Sequence, residues 1–363
     1  MVKFLHAADL HLDSPFSALK PEQAALRRRE QRLLLSALAQ AAKENACQLM
    51  LLAGDLFDSA DAYPETVEAL MSALADCGAQ VFIAPGNHDC CLAGSACLRR
   101  DWPENVRIFT SETVEAVELP ELGVRVYGAG FRSAQCRPLL PGFRAKQDGM
   151  TNLMVLHGDV TNAASPYNAV SPADIAASGL SYLALGHIHM ASGLQKAGQT
   201  FYAWPGCAVG RGFDELGQKG CYLGTLEDSG GVQLEFLPLG GRKYEILNVP
   251  AGQDALASVL DALSADTSQD IYRIVLTGEA DTPDLAALRE ALEPRFYALQ
   301  LRDATTPRRE LWAGMEEDTL RGLFLRRLHA RYEAAQEEPE RRAIALAARL
   351  GLAAMEGREE PEV

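Results

Sequence analysis

The chain has 363 residues, of which 48% are hydrophobic and 23% charged. It is too long and too apolar for a disordered or fibrous protein, and it can bury one sizeable core with a smaller unit appended. The 49 Asp and Glu outnumber the 34 Lys and Arg and leave a net charge of -15, the reverse of what a free-standing DNA binder carries.

Short apolar runs predict strands over residues 3–8, 49–53 and 80–84. Helical patterns over 21–45 and 64–76 separate them, each opening with a proline suited to a first turn. Further strands are expected over 106–110, 124–128, 153–157 and 182–186, and the segments FYAWPG, GCYLGTL and VQLEFL close this part as a terminal group. The alternation predicts α/β (α+β) architecture, with layered β-sheets flanked by helices. From about Arg242 the pattern restarts as KYEILNV, a helix over 254–264, IYRIVLTG, a helix over 282–293 and RFYALQLR, a compact βαβαβ unit. Beyond Pro307 only helical signals remain, over 316–335 and 339–355, before a charged tail, GREEPEV, that is expected to fray. The expected domains are 1–240, 241–306 and 307–363.

The eight cysteines contain no C-x-x-C pair and lie in apolar segments, which predicts a reducing compartment and mostly buried, packing thiols, Cys90 and Cys91 among them. Polar residues interrupt the N-terminus, MVKFLHAADLHLD, and no apolar run approaches membrane-spanning length. A soluble, cytoplasmic protein without a membrane segment is the expectation.

Six of the seven histidines sit at or beside the ends of predicted strands; His329 lies on a late helix. Five local patterns follow five strands: Asp9-x-His11, Gly54-Asp55, Gly86-Asn87-His88-Asp89, His157-Gly158 and Gly186-His187-x-His189. Strand-end loops are where such a scaffold presents functional groups. Asp9, His11, Asp55, Asn87, His157, His187 and His189 make a mixed oxygen and nitrogen ligand set without cysteine. It suits Mn, Fe, Zn or Mg and disfavours a site for Ca or for Mg alone. Seven ligands are too many for one open ion and fit two that share a carboxylate, the arrangement that activates a water and clamps an in-line phosphoryl displacement. Residues 1–200 carry 16 Lys and Arg against 21 Asp and Glu, so two divalent cations would bring their charge of -5 close to neutral.

The order DxH, GD, GNHD, H and GHxH resembles the calcineurin-like metallophosphoesterase superfamily. The wording ADLHLDSPF, AGDLFD, PGNHD, LHGDV, LGHIH and PGCAVGRGFDELGQKGCYL is similar to its SbcD and YhaO-type DNA-repair exonuclease branch. The resemblance implies a metal-dependent phosphodiesterase, an exonuclease or endonuclease in which a hydroxide bridging two metals attacks phosphorus, with manganese the first expectation. It implies that Asp9, His11, Asp55 and His189 hold one ion and that Asp55, Asn87, His157 and His187 hold the other. His88 would face the scissile phosphate, with Asp89 orienting it. The resemblance further implies DNA as substrate, a capping domain after the core, dimerisation, and an SMC-like (SbcC/YhaN-type) ATPase gripped by the C-terminal helices. The late helices themselves read as packing on their own domain.

Two other readings stand beside this one: a phosphodiesterase or phosphatase for a small molecule or protein, and an assembly subunit without catalysis. GDLFDS lacks the arginine of the protein-phosphatase pattern GDxVDRG, and the intact ligand set opposes an idle site. Arg27, Arg28, Arg29 and Arg32 form a basic cluster that reads as a solvated helix face and alternatively as a phosphate contact, and Arg211 is a candidate substrate contact.

Overall fold

The computed structural model describes residues 1–17, 19–99, 101–264, 266–280, 283–306 and 309–355. The tail GREEPEV, Pro307 and the expected helix start at Thr282 lie outside the described residues. The chain divides into two compact units, Met1–Gly241 and Arg242–Val363.

The first unit runs β1 (Val2–Ala7), α1 (Pro21–Glu44), β2 (Leu49–Leu52), α2 (Pro64–Asp76), β3 (Gln80–Ile83), β4 (Val106–Ile108), β5 (Glu115–Leu119) and β6 (Val124–Gly128). It continues with β7 (Thr151–His157), α3 (Pro172–Ala177), β8 (Tyr182–Gly186), β9 (Gln195–Ala197), β10 (Thr200–Ala203), β11 (Gly220–Leu226) and β12 (Val232–Pro238). One sheet has the order β12-β11-β1-β2-β3-β4 and the other β5-β6-β7-β8-β10-β9. Strands β1 to β4 are parallel to one another, as are β6, β7, β8 and β10.

Alternation along the strands builds the layers. In β1 and β2, Phe4, Leu49 and Leu51 pack against Val126, Leu153 and Val155 of the second sheet. Their neighbours Leu5, Met50 and Leu52 face Leu34, Leu35, Leu38, Leu70 and Leu74 of α1 and α2. The outer face of the second sheet buries Met154, Leu156 and Leu183 with Ile175 of α3. The result is two sheets face to face with helices outside, an α/β arrangement in which every apolar face is covered. Because the central strands are parallel, β1, β2 and β3 end at one edge, and so do β7 and β8 in their sheet.

The second unit runs β13 (Tyr244–Pro250), α4 (Ala255–Ala262), β14 (Ile271–Thr277), α5 (Leu285–Leu292), β15 (Ala298–Asp303), α6 (Leu320–Ala334) and α7 (Glu338–Met355). Its three strands form a parallel sheet in the order β13-β14-β15. The helices α6 and α7, which the sequence sets apart, fall within this unit. They bury Leu325, Ile344, Ala345 and Ala348, while Leu320 and Leu323 stay exposed. Among the described residues, no helix is long and apolar enough to cross a membrane.

Candidate metal centre

The loop after β1 carries Asp9 and His11 and is laced to the loop after β2: Asp9 N–H donates to the Gly54 carbonyl and His11 N–H to the Asp55 carbonyl, both at 3.0 Å. From α1, the Gln31 amide donates to the Leu10 and His11 carbonyls, so the first long helix fixes this loop. Asp9, His11, Asp55 and His187 adopt positive φ values of 51°, 42°, 50° and 90°. Four side-chain-bearing residues in the left-handed region at one site mark strain held by the surrounding fold. The glycines of the motifs are required by crowding. A Cβ at Gly54 would lie 2.6 Å from His157 Nδ1, and one at Gly86 would lie 2.8 Å from the His157 ring.

These loops bring their donors together. Asp9, His11 and His189 form one group of potential ligand atoms within 4.8 Å of each other, and Asp9, Asp55 and His157 form a second. Asp55 Oδ2 lies 3.3 Å from His157 Nε2 and 3.9 Å from His11 Nε2, between the two groups. Asn87 Oδ1 is 3.0 Å from His157 Nε2. Among the described residues, His187 joins no such group: its ring packs on His157 at 5.2 Å between centroids, and its Nε2 is 3.9 Å from Asp159. Its backbone N–H donates to both Asp9 oxygens.

Each convergent imidazole has its other nitrogen engaged. His11 Nδ1 faces Asp58 Oδ1 at 3.1 Å, His157 Nδ1 the Ala53 carbonyl at 2.9 Å and His189 Nδ1 Glu215 Oε1 at 2.7 Å. These acceptors favour protons on Nδ1, at His189 through the closer Glu215 although Arg211 Nη2 also lies 3.2 Å from that nitrogen, and the Nε2 atoms point into the cluster. There His11 Nε2 and His189 Nε2 stand 3.3 Å apart.

The electrostatics call for positive charge at the same place. Burial pushes the Asp9 carboxyl up to about 7, since His187 N–H is a modest compensation for a fully buried anion. Burial also acts to raise Asp55, but the charge of His157 outweighs it and holds that carboxyl below the usual range. Conversely, burial alone would lower His157, and Asp55 beside it draws it up to about 9. His11, lacking so close a carboxylate at Nε2, is lowered by burial to about 4. Two buried carboxylates, an amide oxygen and three inward-facing Nε2 atoms are a donor set that fits divalent cations.

His88 is exposed at the rim. Its N–H donates to Asp55 Oδ1 at 2.9 Å, and its Nδ1 lies 2.8 Å from the Asp58 carbonyl. The expectation that Asp89 orients His88 is corrected: the buried Asp89 carboxylate accepts instead from the backbone N–H groups of Asp55, Leu56 and Gly86. It clamps the loops after β2 and β3 together, and the backbone carbonyl of Asp58 holds the His88 ring. The reading of Arg27 as part of a solvated or phosphate-contacting helix face is corrected as well. Arg27 is fully buried, bonded to Glu30 and to the Gly210 carbonyl, and has no face for a phosphate. Arg211 spans Asp58 and Glu215, so it fixes the two carboxylates that orient His11 and His189.

The sequence reading missed Asp58, Glu215 and Asp159. Signals for the first two were present: Asp58 stands three positions after Asp55, and Glu215 four after Arg211, the spacing of an ion pair. His6, the remaining strand histidine, is a core residue. It is buried between the Tyr182 hydroxyl and the Leu185 carbonyl, and burial lowers it to about 3. His329 packs on Trp312, away from any ligand group among the described residues.

Residues 2–191 match the family model described as calcineurin-like phosphoesterase. A curated protein of Bacillus subtilis (strain 168), "Uncharacterized metallophosphoesterase YhaO", is 31% identical over 325 residues, spanning 84% of this chain and 79% of the relative. Among solved structures, TT1561 of Thermus thermophilus is similar at a TM-score of 0.39 and 11% identity, covering 65% of this chain and 98% of that one.

Proposed function

The chain belongs to the calcineurin-like phosphoesterase family and is a metal-dependent phosphoester hydrolase, and from that premise we propose that it cleaves DNA phosphodiester bonds in repair. The observation that carries the metal reading is the placement of Asp55 Oδ2 3.9 Å from His11 Nε2 and 3.3 Å from His157 Nε2, within reach of both ligand groups, to which Asp9 is common. In this reading Asp9, His11, Asp55 and His189 hold one ion, and Asp55, Asn87, His157 and His187 hold the other. Bound there, divalent cations acidify water and draw charge off the phosphate oxygens.

The chain's own residues prepare that chemistry. Asp58, the Ala53 carbonyl and Glu215 hold the protons at Nδ1 of His11, His157 and His189, so each ring presents Nε2 without rotating. Asp89 keeps Asp55 and the turn that carries Asn87 in register by accepting from the backbone N–H groups of Asp55 and Gly86. His88 keeps a proton on Nδ1 against the Asp58 carbonyl, and its Nε2, when protonated, donates to a phosphate oxygen or to the leaving oxygen.

The DNA assignment is supported by the likeness of ADLHLDSPF, AGDLFD, LHGDV and LGHIH to the SbcD and YhaO-type branch. Manganese is the proposed metal, ahead of iron, zinc and magnesium. A net charge of -15 argues that DNA is gripped with help, so the proposal includes an SMC-like ATPase partner, a homodimer and a cytoplasmic location.

End-labelled linear duplex DNA incubated with the purified chain and Mn tests the reading, with Asp55→Asn as the contamination control. Shortening of the DNA by the unmodified protein alone supports it. If a nitrophenyl phosphodiester is hydrolysed while DNA stays intact with and without the ATPase, the substrate is a small diester and the DNA reading fails.

A further inference from the structure

Cys91 and Cys97 are closer to each other than their sequence positions suggest. Cys97 Sγ lies 2.8 Å from Cys91 Sγ, with Ser95 Oγ 3.1 Å from Cys97 Sγ. A disulfide has its sulfurs about 2.05 Å apart, so the two thiols stand less than about 1 Å short of bonding. Cys91 is buried, as expected of a packing residue, and also faces this second thiol.

The surroundings suit a reactive pair. Cys91 is anchored, 2% exposed, with its N–H donating to the Phe131 carbonyl. Cys97 is half-buried and on the other side of a turn at Ala93 and Gly94. That turn lies at the surface: Leu92 is exposed, and a Cβ at Gly94 would meet nothing within 4 Å. An oxidant arriving from solvent therefore meets Cys97 first and finds a second sulfur already in contact. The Cys91 thiol and Ser95, hydrogen-bonded to Cys97, also hold Cys97 below the ordinary thiol range.

The other thiols offer a contrast. Cys77, Cys136 and Cys207 face backbone carbonyls. Cys47 and Cys221 are buried, and burial pushes them up to about 11 and about 12. Cys90 sits in a small apolar cluster with Phe131 and Cys136.

We propose that Cys91 and Cys97 form a modification site that a peroxide converts from two thiols to a disulfide. The Cys97 thiolate attacks the peroxide, the O–O bond breaks, and Cys97 becomes a sulfenic acid as hydroxide leaves and is protonated to water. The Cys91 sulfur then attacks Cys97 Sγ, the S–O bond breaks, and the departing hydroxide takes the Cys91 proton as a second water. Two thiols lose two electrons, and hydrogen peroxide is reduced to two waters. In a reducing compartment such a pair rests as thiols and closes only under oxidant. The site lies directly behind the GNHD loop, yet the proposal is independent of the substrate assignment, and its test reads no hydrolysis.

The test treats the reduced full-length chain, with chelator present, with one equivalent of hydrogen peroxide, then unfolds and alkylates it. The expected result is loss of two of the eight alkylatable thiols, with peptide mapping placing the link at Cys91 and Cys97. Dithiothreitol should restore all eight. Cys97→Ser should keep every remaining thiol alkylatable after peroxide, while Cys90→Ser should still lose two. Eight alkylatable thiols after peroxide would overturn the proposal, as would a link through Cys90 or oxidation of Cys97 without a link.

Discussion

The loops after β1, β2, β3, β7 and β8 in the first unit and those after β13 and β14 in the second occupy the same place in an α/β scaffold, the C-terminal ends of parallel strands. Both settings carry acidic residues next to glycines, and the second unit has an open cleft of about 400 Å³ lined by Gly252, Asp254 and Asp284. What the acids do differs. Asp254 accepts from the Ala257 N–H, and Asp284 from the N–H groups of Ala286 and Ala287, so both carboxylates cap helices. In the first unit Asp9 and Asp55 point at histidines whose Nδ1 protons are held elsewhere. Among the described residues, no metal-type ligand group lies in the second unit. A cleft at strand ends is a location, and convergent donors with fixed protons make it a centre.

The comparison is tested most severely at Asp55. Asp55→Asn should lower metal-dependent hydrolysis by about 10³-fold or more while the circular dichroism spectrum stays native; near-normal turnover would remove the shared-ligand assignment. Next in size, His88→Ala should lower kcat by about 10² to 10³-fold with the metal content unchanged by elemental analysis. Loss of metal would make His88 a ligand. Glu215→Gln should weaken metal affinity by about 10- to 100-fold, through His189, and leave kcat near normal at saturating metal.

Smaller effects concern stability. His6 has its folded value lowered to about 3 against 6.5 when unfolded. Between those values the unfolded chain binds a proton that the folded chain does not, so stability falls as pH falls, by about 1.4 kcal/mol per unit. His6→Leu should flatten that slope in urea titrations at pH 4, 5 and 6, and an unchanged slope would assign the acid sensitivity elsewhere. Asp284→Ala in the second unit should cost about 1 kcal/mol of stability and leave hydrolysis unaltered.

The strand and helix pattern was readable where local signals agree. Pro21 and Pro64 start α1 and α2, and β6, β8 and β11 coincide with their predicted runs. The short strands β5 and β9 and the helix α3 escaped notice, being three to six residues long with exposed or mixed burial. Histidines gathered at strand ends revealed most of the cluster, because the scaffold dictates where such loops lie. The partners of those histidines were hidden: Asp58 meets His11 across 47 positions and Glu215 meets His189 across 26. Nothing local in a sequence says which of many carboxylates faces a given Nδ1. For the same reason the sequence pairs Asp89 with its neighbour His88, whereas its contacts are to backbone N–H groups of its own loop, at Gly86, and of the loop after β2, at Asp55 and Leu56. Arg27 was read as part of a surface run because its burial depends on Phe16 and Gly210, residues distant along the chain.

The most direct measurement is electron paramagnetic resonance of the chain titrated with manganese, beside Asp55→Asn. Two ions per chain with an exchange-coupled signal, and loss of that coupling in the variant, are the predicted result. A single uncoupled ion at saturation, or a coupled pair that survives Asp55→Asn, would contradict a centre built on one shared carboxylate.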